Sequence, residues 1–163
     1  MSIIVTGAVS SIHIAFAGAA PVISLGEIQA TAGKGLEGDR YYLKTGTYSK
    51  TPGTGREVTL IEIEAIEALR RDYGIDIDAA QARRNIVTRG VGLNHLIDRE
   101  FAVGEAVLRG TRLCEPCAHL EKLTVKGVMR GLIHRGGLRA DVVRGGIIRV
   151  GDTISTASQG LSP

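Results

Sequence analysis

Tryptophan is absent from this chain, and other aromatic side chains are few: two Phe and four Tyr. With so little stacking surface, and no basic run interleaved with aromatic residues, a nucleic-acid partner is not expected. Long apolar runs are also missing. The stretch from Ile12 to Leu25 is fairly apolar, but His13 and Pro21 interrupt it, it is too short to cross a bilayer, and no basic leader precedes it. It reads as strands; no membrane association is expected, and the expected location is cytoplasmic. No sign of charge dominates, since 20 basic residues face 17 acidic ones for a net +3. Charged residues make up 23% and hydrophobic ones 44%, which disfavours disorder, collagen and coiled coil. A length of 163 residues suffices for one domain with a real core and divides poorly into two, so residues 1–163 are expected to form a single domain.

Lysine is scarce, occurring only at positions 34, 44, 50, 122 and 126, so arginine supplies 15 of the 20 basic residues. A guanidinium fork grips phosphate or carboxylate in bidentate fashion, which suits an anionic small molecule. A genomic preference for arginine codons produces the same count, so composition leaves both explanations open.

Cysteine is scarcer still. Both cysteines, Cys114 and Cys117, fall within Arg112-Leu113-Cys114-Glu115-Pro116-Cys117-Ala118-His119-Leu120. In a reducing compartment a lasting disulfide is unusual, which leaves a metal site, transient redox chemistry, a poised thiolate, or simple burial of two small hydrophobes. Pro116 fixes the backbone just before the second thiol and removes one amide donor, placing Cys117 at a constrained corner. An arginine nearby, or a helix beginning at about Ala118, would favour the thiolate, the form that attacks persulfides and binds molybdenum or zinc. His119 and His134 add two further candidate zinc ligands, giving an alternative reading as a small zinc-stabilised interaction protein built on Cys114, Cys117, His119 and His134. Their spacing matches neither finger nor ribbon. A thioredoxin-like role is disfavoured, because the CxxC does not open a helix within a βαβ pattern.

Along the chain, residues 2–30 read as short extended segments, followed by a glycine-rich loop with six glycines between Gly33 and Gly55. Val58 to Tyr73 reads as a helix: Thr59 and Glu62 form a capping box, Ile63, Ile66, Leu69 and Tyr73 recur at helical spacing, and Gly74 is a natural stop. Strands are expected at Asn85–Thr88, Phe101–Leu108, Ala140–Val143 and Ile147–Val150, with a weaker helix from about Leu120 to Arg130. Many short strands, one good helix and abundant glycine predict a mainly β fold, a strand-rich barrel or sandwich with a few helices, rather than a doubly wound sheet.

Two short motifs carry chemistry. In Gly35-Leu36-Glu37-Gly38-Asp39-Arg40 a tight turn could aim backbone amides at an anion while Arg40 supplies charge; an ordinary surface turn fits equally well. Arg83-Arg84-Asn85 enters an apolar strand with its two arginines on opposite faces, and Arg84 with Asn85 could hold a phosphate or the edge of a heterocycle. A solvated strand entrance is the bland reading of the same residues.

Taken in order, Gly35 to Arg40, Glu57-Val58-Thr59-Leu60-Ile61, Arg84-Asn85-Ile86-Val87, Phe101 to Ala106, Pro116-Cys117 and a closing Gly146 to Asp152 hairpin resemble the MOSC domain, the C-terminal domain of molybdenum-cofactor sulfurases. The resemblance spans nearly the whole chain. It implies a β-barrel with a pocket, an essential cysteine that corresponds to Cys117, and binding of sulfur or of the molybdopterin-type molybdenum cofactor. In sulfurases the domain is thought to receive or present sulfur; in related reductases of N-hydroxylated compounds the cysteine ligates molybdenum. On this resemblance Cys117 is the catalytic residue and metal ligand, and Gly38, Asp39, Arg40, Arg84 and Asn85 are the cofactor-binding residues. The implied partners are the cofactor or a sulfur-donor protein, and a redox partner for any reductase activity. The chain carries neither a pyridoxal-phosphate desulfurase domain nor a second N-terminal barrel, and so reads as a stand-alone module.

Overall fold

A computed structural model describes residues 6–46, 49, 55–116 and 118–156, apart from the side chains of residues 118 and 119. Eleven strands and three α-helices run through these residues. Seven of the strands close on themselves. In spatial order they are β11 (Thr153–Ser155), β7 (Glu100–Val103), β8 (Ala106–Leu113), β9 (Leu138–Arg144), β5 (Val58–Glu62), β6 (Ile86–Arg89) and β1 (Thr6–Ile14), which pairs again with β11. The ring is mixed: β5 and β6 run parallel, and its other named pairs are antiparallel. The far half of β1 also pairs with β2 (Ile23–Leu25), and a smaller sheet is built from β10 (Gly146–Arg149), β3 (Glu27–Thr31) and β4 (Gly35–Leu36).

Period-two alternation sorts the side chains of the ring. Leu60, Ile86, Leu108, Leu138, Ala140 and Ile154 point inward with Phe101 and fill the barrel. Their neighbours Ile61 and Val87 point outward and are buried under helix α1 (Ile63–Tyr73), with Ile66 and Leu69, and under Leu120, Val128 and Leu132 from the region of α2 (Ala118–Leu123) and α3 (Val128–Gly131). That second core explains why Val58 to Ile61 is an uninterrupted buried run: this part of the barrel wall is covered on both sides.

The structure corrects several sequence expectations. The helix expected over Val58–Tyr73 begins only at Ile63, because Val58 to Glu62 is a strand held between β9 and β6. Thr59 is no capping residue; its hydroxyl bonds Asn85, and Glu62 at the helix start makes no side-chain cap. The far end agrees: Gly74 takes a left-handed conformation and its N–H donates to the Arg70 carbonyl at 3.1 Å. Phe101–Leu108 is not one strand but the middle of a hairpin that folds at Gly104, φ +57°. Residues 146–152 form no closed hairpin, since β10 joins the small sheet and β11 the barrel. The weaker helix breaks into two short ones.

Candidate functional site

The loop carrying Cys114 follows the end of β8 at Leu113, and the Cys114 side chain is buried. Cys117 lies outside the described residues, but the backbone leading to it is held from three directions. The Cys114 N–H donates to the Gly137 carbonyl at 2.7 Å. Gly136 packs so closely beneath the loop that a Cβ there would overlap the Cys114 carbonyl oxygen and come within 2.9 Å of the Pro116 ring. Glu115 is fixed through its carboxylate, which accepts the His134 N–H at 2.8 Å and pairs with His134 Nδ1 at 3.1 Å.

Arg84 locks this arrangement. Its Nε donates to the Gly136 carbonyl at 2.8 Å and its Nη2 to the Cys114 carbonyl at 3.2 Å, so one buried guanidinium ties the cysteine loop to the strand that approaches it. Asn85, fully buried, faces the other way: its Oδ1 accepts the Thr59 N–H and hydroxyl at 3.0 and 3.2 Å, and its Nδ2 donates to the His13 carbonyl at 3.1 Å. These bonds join β5, β6 and β1.

Gly38, Asp39 and Arg40 form a separate knot. Gly38 turns the chain at φ +87°. The buried Asp39 Oδ1 accepts the Ala15 N–H at 3.1 Å and Arg40 Nη1 at 3.0 Å, while Arg40 Nη2 donates to the Arg83 carbonyl at 3.1 Å and its guanidinium lies 5.1 Å from the centre of the Tyr41 ring. Arg83, itself at φ +57°, directs its charge to this knot: burial and then Arg40 push its pKa down, and Asp39 opposes them. Thus Arg83 and Arg84 do part company, one towards Arg40 and one towards the cysteine loop.

Sequence reasoning missed a third group. Arg112 on β8 and Arg139 on β9 are cross-strand partners on the outer wall, with Arg56 beside them. Burial pushes the Arg112 pKa down, and Arg139 and Arg56 add to the effect; Cys114 and Asp141 act in the opposite direction. The available signal was the arginine excess, but residues 27 positions apart become neighbours only through strand register. Of the alternative zinc set, Cys117 and the His119 side chain lie outside the described residues; among the described residues no three of His, Cys, Asp and Glu cluster in a way that could hold a metal ion. Nor, among those residues, is any helix long and apolar enough to cross a membrane.

The family model for the MOSC domain matches residues 47–155, which is 109 of the 163 residues. Among solved structures, the chain is similar to the YUAD protein from Bacillus subtilis, with TM-score 0.79 and 18% identity over 95% of this chain and 97% of that one. It is also similar to YiiM from Geobacillus stearothermophilus, with TM-score 0.71 and 14% identity over 96% of this chain and 77% of that one. YiiM from Escherichia coli gives TM-score 0.61 and 18% identity over 88% of this chain and 67% of that one. No curated protein matches the chain in sequence.

Proposed function

From the premise that this chain belongs to the MOSC domain family, a family associated with the molybdenum cofactor, we propose that it is a module that handles sulfur or the molybdopterin-type cofactor through Cys117. The observation that carries the proposal is the clamp of Arg84 on the Cys114 and Gly136 carbonyls. It commits a buried cation to holding the cysteine loop in one shape, and a thiol that is merely filler needs no such support.

The donor set suits the ligand. A thiolate is a soft donor for molybdenum or sulfur, and the arginine-rich wall beside Cys114 suits the anionic part of a cofactor. Cys117 would be the metal ligand, the Cys114–Pro116 backbone would present it, and Arg40, Arg84 and Asn85 would shape the surroundings by the bonds described above. A bound molybdenum cofactor supplies two-electron redox chemistry. As a sulfur carrier, the Cys117 thiolate attacks the outer sulfur of a donor protein's persulfide: the new Cys117 S–S bond forms, the donor's S–S bond breaks, and the donor leaves as a thiolate. A reductase role would consume two electrons and two protons per N–O bond, releasing an amine or amidine and water, and would require an external electron donor.

Protein purified from a host that makes molybdopterin provides the test, by elemental analysis together with cyanolysis for labile sulfur. Wild type is expected to carry molybdenum or cyanolysable sulfur, and Cys117→Ser to lose it while keeping its melting transition. Finding neither in wild type, or an undiminished amount in Cys117→Ser, overturns the proposal. Turnover of a hydroxylamine or amidoxime with a strong artificial reductant separates reductase from carrier.

A further inference from the structure

His13 is a buried imidazole set between two hydroxyls, and the two differ in their access to solvent. The residue is only 4% exposed. Its Nδ1 lies 2.9 Å from Ser24 Oγ and its Nε2 lies 2.7 Å from Ser11 Oγ. Ser24, on β2, is exposed, while Ser11, two residues before the histidine on β1, is half-buried. A serine open to solvent thus meets a base that is shielded from it.

Strand register produces this arrangement. Ser24 is the cross-strand partner of His13. The His13 N–H donates to the Asn85 carbonyl at 2.7 Å, and the His13 carbonyl accepts from Asn85 Nδ2 at 3.1 Å, so both backbone groups of His13 point towards β6. His13 and Ser24 are therefore a pair without mutual backbone bonds, the kind in which facing side chains approach most closely. The same geometry turns the Ser24 N–H away from β1, to the edge of β2 that borders no other named strand among the described residues. Burial lowers the His13 pKa and Asp78 only partly opposes it, so near neutral pH the ring is uncharged and able to accept a proton. A hydroxyl within reach of a base, with a third group orienting that base, is the pattern of an activated nucleophile.

We propose that Ser24 is a nucleophile for acyl transfer, with His13 as its general base, Ser11 as the group that positions the ring, and a small activated carboxylic ester as the class of substrate. The ring proton sits on Nε2 and is donated to Ser11 Oγ, which leaves the Nδ1 lone pair to accept from the Ser24 hydroxyl. As Ser24 Oγ bonds to the acyl carbon, its proton passes to Nδ1; the ester C–O bond breaks, and the imidazolium returns the proton to the departing oxygen. Negative charge gathers on the acyl oxygen during the attack, and the Ser24 N–H supplies a donor on that open edge. Water, deprotonated by the same base, then cleaves the acyl-serine and releases the acid. Neither the Cys117 thiol nor a metal takes part, so the site stands apart from the sulfur or cofactor reading.

A fluorophosphonate, which phosphonylates activated serine hydroxyls, tests the proposal on the full chain, with the adduct mapped by peptide mass spectrometry to separate Ser24 from the other serines and from the thiols. Wild type is expected to carry its adduct on Ser24. Ser24→Ala, a small change at an exposed position, is expected to lose the adduct while keeping its melting transition, and His13→Gln to label about a hundredfold more slowly, the scale of a general base. Ser11→Ala is expected to slow labelling at least about tenfold and Ser11→Thr, which keeps the hydroxyl, to restore it. With 4-nitrophenyl acetate, turnover assigns hydrolysis, and a stable acetyl group on Ser24 assigns acyl acceptance. No adduct on Ser24 in wild type, or labelling of Ser24 as fast in folded His13→Gln as in wild type, overturns the proposal. Should His13→Gln fail to fold, equal rates in wild type and Ser11→Ala overturn it instead.

Discussion

Asn85 shows how much structure one side chain can hold. Its amide satisfies the backbone N–H and hydroxyl of Thr59 and the carbonyl of His13, all in a buried setting. Replacing it with Ala leaves two backbone groups without partners, and at about 1–3 kcal/mol for each orphaned group the expected loss is about 3 kcal/mol, read as a lower urea midpoint. His13 makes the second residue-level prediction. Its ring lies between the Ser11 and Ser24 hydroxyls at 2.7 and 2.9 Å; burial lowers its pKa, and Asp78 only partly opposes this. The unfolded chain therefore takes up a proton first, so stability should fall as pH drops through about 6.5 and level off below the folded pKa. Unfolding free energy measured between pH 8 and 5 should decline less in His13→Gln than in wild type; equal slopes would refute the assignment. That Arg84 and Asn85 merited attention was legible from their chemistry. Which carbonyls they meet was not, because Gly136, Cys114 and His13 reach them only through the barrel.

Strands and helices here end where glycine permits and begin where packing demands. Gly74 and Gly137 make the contrast. Both have positive φ, at +66° and +111°, but a Cβ on Gly74 meets nothing while one on Gly137 would overlap the Leu60 carbonyl oxygen. Gly74→Ala should cost only the left-handed backbone penalty, about 1–2 kcal/mol. Gly137→Ala must also part β9 from β5 beside the cysteine loop, and its melting temperature should fall much further than that of Gly74→Ala. Comparable losses would contradict the close approach. The C-terminal half of α1 was readable because its apolar spacing, terminal arginines and glycine stop agree. Its beginning was not, since Thr59 and Glu62 mimic a capping box while β-branched neighbours pair with β6 and β9. Local pattern lost to tertiary pairing there.

Closure of the barrel joins the two ends of the described chain. β11, three residues long, bridges β1 and β7, and without it the ring would expose two strand edges. Ile154 is its inward residue and is fully buried. Ile154→Ala should lose about 2–5 kcal/mol and should speed amide exchange in β1 and β7 together, because those edges share one closing strand. Exchange that quickens in β11 alone would mean that the ring is not a cooperative unit. The described residues thus wrap one wall with helices, while β8 and β9 carry the paired arginines and lead into the cysteine loop, where Cys114 is itself buried.

What the residue order determined by itself was class and vocabulary: a strand-rich fold, a cysteine pair at a proline corner, an excess of guanidinium and an ordered series of motifs that pointed to the MOSC family. These are local properties, written in spacing and side-chain chemistry. The tertiary structure alone decided which arginines are spent on holding backbone and which crowd together, since Arg84 meets Gly136 and Arg112 meets Arg139 only when strands distant in sequence fall into register. Strand register is set by how the whole barrel buries its apolar face, and no window of sequence contains that sum.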